Sequence, residues 1–157
     1  MRNLVRLVLV VAALALALGA PSLAAAEPAA PAPAPTLSLY QRIGGYNTLA
    51  AVTDDFLARL TTDRDLSVFF AGHAQNSIKR IRQDLVDFLC QATGGPCEYT
   101  GRDMKTAHQG LGITQAQWDH GVALLDQALD QCRVTGQEKA DVLALVQTLT
   151  HAIVEKP

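Results

Sequence analysis

The sequence predicts an all-α domain. Apolar residues recur at alternating spacings of three and four in several separate segments, the period of an amphipathic helix. Helix punctuation falls at the ends of those segments, as capping-box patterns at Thr114-x-x-Gln117 and Thr135-x-x-Glu138 and as glycine stops. No segment alternates apolar and polar residues as a strand does, and no internal repeat appears. On periodicity alone, four long helices of this kind suggest a bundle.

Residues 1–26 lie outside that domain. Arg2 and Arg6 give a basic start, and Leu7 to Ala20 is an apolar run of 14 residues, short for a membrane span. Pro21 breaks the run, and Ala24-Ala25-Ala26 supplies small residues for cleavage, so the segment reads as a secretory signal peptide. The alternative is a retained N-terminal anchor. Cleavage predicts an exported, periplasmic protein with no stable membrane insertion. Residues 27–38 are an Ala/Pro-rich linker, EPAAPAPAPT and two further residues, with an extended preference and no core of its own. The folded domain is then residues 39–157, enough for one core. Without Arg2 and Arg6 the 13 basic side chains fall to 11 against 15 acidic, a formal charge of −4. No basic stripe is present, which excludes nucleic acid as an expected partner.

Leu39 to Ile43 suits one helical turn stopped by Gly44-Gly45. Asn47 is placed to cap a second helix with Leu49, Val52, Phe56 and Leu60 on one face, ending near Thr61. Asp63 to Leu66 is a polar turn, and Phe69-Phe70 form a short connection closed by Gly72. Asn76 or Ser77 starts a third helix with Ile78, Ile81, Leu85, Phe88 and Ala92 in register, ended by Gly94-Gly95-Pro96. A short helix from Gly101 to Gln109 puts His108 on one face with Met104, Ala107 and Leu111. The Thr114 box opens a helix carrying Trp118, Val122, Leu125, Leu129 and Cys132; the Thr135 box opens the last, with Leu143, Val146, Leu149 and Ile153, running to Val154.

Cys90 and Cys97 flank the Gly94-Gly95 turn, so the chain can bring them together, and export favours a disulfide. Cys132 lies on an apolar face and reads as a small hydrophobe. A cysteine–histidine zinc site is the other reading, but the tight ligand spacing is missing. His73, His120 and His151 have no partners in sequence that make them catalytic, and no Ser-His-Asp pattern or phosphate loop is present. A neutral imidazole on an apolar face, as at His108, is either a hydrogen-bonded core histidine or a metal ligand.

The surroundings of His108 carry a resemblance. Gly94-Gly95-Pro96, Tyr99-Thr100-Gly101, Met104-Lys105, His108 and Gly110-x-x-Ile113 follow one another as in the proximal region of the truncated haemoglobins, most closely their first group. Tyr40, Ile43-Gly44-Gly45, Asp54-Asp55-Phe56, Asp65-Leu66 and Phe69-Phe70 match the same family in the same order. The resemblance covers about Leu39 to Val154. It implies a globin-like, truncated two-over-two helical sandwich that holds haem, with His108 as the iron's axial ligand through Nε2. The resemblance also implies a haem slot walled by Phe56, Phe70, Ile81, Leu85, Phe88, Met104, Leu111 and Ile113, with Leu57 on the distal side. Tyr99 and Arg102 are placed for the propionates, as is the basic cluster Lys79, Arg80 and Arg82. Three positions depart from the family. Leu57 stands where a tyrosine is common, Ile81 and Leu85 replace polar distal residues, and Asp84 replaces a basic one.

The implied function is reversible binding of a diatomic gas at haem iron, O2 first, with NO or CO as alternatives. A haem enzyme of the same class, such as a nitric oxide dioxygenase or a peroxidase, is the second reading. It needs electrons from a partner reductase, because the chain carries no flavin or nicotinamide motif. A haem-free helical interaction domain is the third.

Overall fold

A computed structural model describes residues 36–156; the signal peptide and nearly all of the linker predicted from sequence lie outside the described residues. The elements are α1 (Leu39–Arg42), α2 (Gly45–Thr62), a 3-10 turn (Ser67–Phe70), α3 (Gln75–Ala92), α4 (Met104–His108), α5 (Gln115–Gln131), α6 (Gly136–Gln147) and α7 (Thr150–Ile153). Among the described residues the only strand-like feature is a parallel bridge between Thr114 and Lys156.

The core forms where α2 packs against both α3 and α5, with α6 closing over α5. Leu49 and Val52 of α2 meet Leu89 and Cys90 of α3, Leu125, Ala128 and Leu129 of α5, and Val142 and Val146 of α6 in one cluster. Leu49 is 1% and Leu129 0% exposed, so each contributes about 2 kcal/mol relative to leaving it in water. Arg82 grips Asp54 through two nitrogens, tying α3 to α2, and Lys139 sits between Asp126 and Asp130, tying α6 to α5. These surface pairs fix register more than they stabilise.

The apolar stripes of the long helices lie where periodicity places them, but several ends and caps differ, and α4 starts at Met104 rather than Gly101. Asn47 does not cap α2. The helix starts three residues earlier than such a cap would place it, at Gly45 behind Gly44, whose φ of 98° reverses the chain in a way glycine tolerates best. Likewise Asn76 and Ser77 lie inside the first turn of α3, which begins at Gln75 behind Ala74. Thr135 precedes α6 without a side-chain cap: Gly136 after it turns through a φ of 62°, and the Glu138 carboxylate pairs with Arg42 at 3.0 Å instead of reaching back. The last helix is interrupted at Thr148–Leu149. There the Thr148 and Thr150 hydroxyls donate back to the carbonyls of Leu145 (2.6 Å) and Gln147 (2.7 Å), local bonds that compete with the helical ladder. The Thr114 box forms in full.

Candidate functional site

A helix as short as α4 does not persist alone. Its N-terminus is held by Asp103, which accepts the Thr106 backbone N–H at 2.9 Å and the Thr106 hydroxyl at 2.6 Å. These two bonds hold the Asp103 carboxyl below the usual carboxylate range. The preceding loop is tied to α3. Cys90 and Cys97 are disulfide-bonded with Cα atoms 5.7 Å apart, and the Tyr99 N–H donates to the Gln91 side chain at 2.6 Å. The Tyr99 ring stands edge-on to Phe88, centroids 5.4 Å apart, and its hydroxyl donates to the Arg102 carbonyl at 2.5 Å. A Cβ on Gly101 would come within 2.5 Å of the Tyr99 ring, so glycine is required there.

At the end of α4, His108 is half-buried and its Nδ1 lies 2.7 Å from the Met104 carbonyl oxygen. That oxygen only accepts, so Nδ1 carries the hydrogen and Nε2 presents a lone pair. Among the described residues Nε2 has no protein partner. The chain then turns through Gly110 and Gly112, with φ of 84° and 66°.

The predicted wall residues come from four elements. Phe56 and Leu57 lie on α2, Phe70 on the 3-10 turn, Ile81, Leu85 and Phe88 on one face of α3, and Met104 on α4. Leu57 and Ile113 are buried; Phe56, Phe70, Ile81, Leu85, Phe88 and Met104 are half-buried. Leu111 differs from expectation. Because α4 stops at His108, Leu111 lies past the helix, off its apolar face, and is 43% exposed. Ala107 is exposed too. At the edge, Arg102 is exposed and the Tyr99 hydroxyl is committed to the Arg102 carbonyl. Burial, then the nearby carboxylates of Asp84 and Asp103, push the Tyr99 pKa up. Arg82 is engaged by Asp54, leaving Lys79 and Arg80 as the exposed cations of that cluster.

Sequence reasoning missed three features. Glu155 accepts the N–H groups of Gly110 at 2.6 Å and Gly112 at 2.5 Å, across 45 and 43 residues, and no local pattern marks such a contact. His120 Nε2 lies 2.8 Å from an Asp63 oxygen, tying α5 to the turn after α2 beside an open groove of about 420 Å³ that none of the predicted wall residues lines. Thr53, on α2 one turn before Leu57, is fully buried and its hydroxyl has no partner.

Comparison with known proteins decides what this arrangement belongs to. The bacterial-like globin family matches residues 38–155. The group 1 truncated hemoglobin GlbN of Mycolicibacterium paratuberculosis is 36% identical over 116 residues, 74% of this chain and 83% of that protein. The chain belongs to the group 1 truncated haemoglobins. The group 1 protein of Nostoc commune is 32% identical, covering 76% of this chain and 98% of its own length. The truncated hemoglobin of Tetrahymena pyriformis superposes with a TM-score of 0.70 at 22% identity, covering 76% of this chain and all of that one. A Synechococcus 2/2 hemoglobin solved with covalently attached heme gives 0.66 at 25% identity, covering 74% of this chain and 95% of its own. The two-over-two sandwich is therefore the fold of this truncated haemoglobin.

The residues present fit a haem. One neutral imidazole with its tautomer set by a backbone acceptor is the donor that haem iron takes in globins. The half-buried apolar faces of α2 and α3 supply walls. No side chain among Leu57, Ile81 and Leu85 can donate a hydrogen bond.

Proposed function

We propose that this truncated haemoglobin holds haem through His108 Nε2 and binds a diatomic gas reversibly, O2 first, with CO and NO as competing ligands. The observation that carries this reading is the 2.7 Å bond between His108 Nδ1 and the Met104 carbonyl, which occupies Nδ1 and leaves Nε2 as the ring nitrogen free to bind a metal. The haem iron, when bound, supplies the coordination position at which the gas attaches. The chain would supply the rest: His108 Nε2 would hold the iron, Phe70 and the α3 face of Ile81 and Leu85 would exclude water, and Arg102, Lys79 and Arg80 would offer positive charge for propionates.

The disulfide and the 1–26 segment support a site of action outside the cytoplasm, where cysteines pair stably. Keeping a gas-binding haem ferrous there calls for an electron donor, and a partner reductase is the class that fits. The test is the absorption spectrum of the purified full chain after addition of haemin, reduction and CO. The expected result is a stoichiometric Soret band that shifts with CO. A spectrum that stays that of free haemin at one equivalent refutes the reading. Intact mass of the periplasmic protein tests export: the chain should begin near Glu27.

A further inference from the structure

We infer that Glu155 is a positioning residue for the axial histidine, acting through the loop that follows it; this rests on the reading that His108 holds haem iron. Three observations converge. Gly110 and Gly112 both have positive φ, so the backbone turns its N–H groups to one side as a small anion-binding concavity. The Glu155 carboxylate fills it, one oxygen accepting from Gly110 at 2.6 Å and the other from Gly112 at 2.5 Å. The backbones are then clipped together. The N–H groups of Glu155 and Lys156 donate to the Ile113 carbonyl at 2.9 and 3.2 Å, and the Gln115 N–H donates to the Lys156 carbonyl at 3.0 Å.

The clip begins two residues after His108. Upstream, α4 is fixed by Asp103, Tyr99 and the disulfide; downstream nothing but this carboxylate bonds the Gly110 and Gly112 amides. The Leu111 N–H reaches only the His108 carbonyl, at 3.2 Å, so it tightens α4 without tethering it to the rest of the fold. Without the carboxylate, the Gly110–Gly112 stretch is held only through the backbone bonds at Ile113 and the packing of α4 against α7, which leaves α4 freer to rotate, and a rotated α4 moves Nε2. A carboxylate bridging two amides is charge-assisted and directional, which an uncharged surface residue does not reproduce. Glu155 is exposed, so its effect is on geometry more than on global stability.

The test compares Glu155→Ala, Glu155→Gln and a surface-tie control, Lys139→Met, in the full haem-loaded chain. Two quantities are read: the rate of haem loss to an apoglobin acceptor, and the iron–histidine stretching band of the ferrous form. Glu155→Ala should lose haem roughly three- to tenfold faster and shift or broaden the band. Glu155→Gln keeps one acceptor oxygen and should fall between. Lys139→Met should leave the band unchanged. An unaltered band in Glu155→Ala, or the same change in Lys139→Met, overturns the inference. His108→Ala separates the layers: retention of haem with an unchanged band there overturns the axial assignment itself and the inference with it.

Discussion

The Nδ1 of His108 lies 2.7 Å from the carbonyl oxygen of Met104, four residues upstream on the same short helix. This bond sets the ring's tautomer and its plane before any ligand arrives. None of the other three histidines has that arrangement. His120 is paired with Asp63, and His73 and His151 are exposed.

Leu57, Ile81 and Leu85 offer no donor on the expected distal side, so O2 should be held weakly. O2 gathers negative charge on its outer atom when bound, and a hydrogen bond to it slows release by roughly ten- to 150-fold, about 1.5–3 kcal/mol. Leu57, Ile81 and Leu85 cannot supply one. Leu57→Tyr should slow O2 release by that factor and CO release far less, read by stopped-flow and flash photolysis. Wild-type release already as slow as that variant's would mean another donor reaches the ligand.

Thr53 is the buried polar group nearest in sequence to that face. Its hydroxyl is fully buried with no partner, and such a group costs about 1–3 kcal/mol of desolvation. Thr53→Val keeps the shape and removes the cost. The variant apoprotein should resist urea better, by on the order of 1 kcal/mol. A loss of stability would show that the hydroxyl is satisfied, for example by a trapped water.

The Cys90–Cys97 bridge closes a loop with a sequence separation of 7. In the chain-entropy model a loop that small is worth about 2–3 kcal/mol. The double variant Cys90→Ser with Cys97→Ser should lower the urea midpoint accordingly, and haem should leave faster because the loop before α4 loosens. Identical midpoints for the reduced and oxidised wild type would contradict this.

Asp103 and Glu155 make the proximal helix acid-sensitive. The Thr106 hydroxyl and N–H lower the Asp103 pKa, and the Gly110 and then Gly112 N–H groups lower that of Glu155. A carboxylate with a folded pKa below its unfolded value stabilises fully above the unfolded pKa and loses that contribution as pH falls through the folded one. The stability gap between wild type and Asp103→Asn with Glu155→Gln should therefore be flat above about pH 5, where both carboxyls are ionised folded or unfolded, and shrink as pH falls through the lowered folded values. Thermal melts of the apoprotein across that range decide it. A gap that widens on acidification would reverse the assigned sign.

The helices and the His108 site were legible because their information is local. Stripes such as Leu49, Val52 and Phe56 declare a buried face in one helix, and Thr114 with Gln117 declares a start. The Met104–His108 spacing is that of one helical turn. The helix starts at Gly45 and Gln75 were not legible, because there the backbone reversal at Gly44 and the chain entry at Ala74 outweigh side-chain capping preference. Thr135 failed as a box because Gly136 turns through a positive φ after it and Arg42, 96 residues away in the chain, claims Glu138. Glu155 was hidden for the same reason: its partners are backbone amides more than forty residues away, and amides leave no mark in a sequence.

The central claim is that His108 Nε2 is the axial ligand. The ferrous spectrum of His108→Gly, with and without added imidazole, tests it most directly. The expected result is a wild-type band that is lost in the variant and returns when imidazole enters the space left by the side chain. A variant that keeps the wild-type ferrous and CO spectra without imidazole would contradict it.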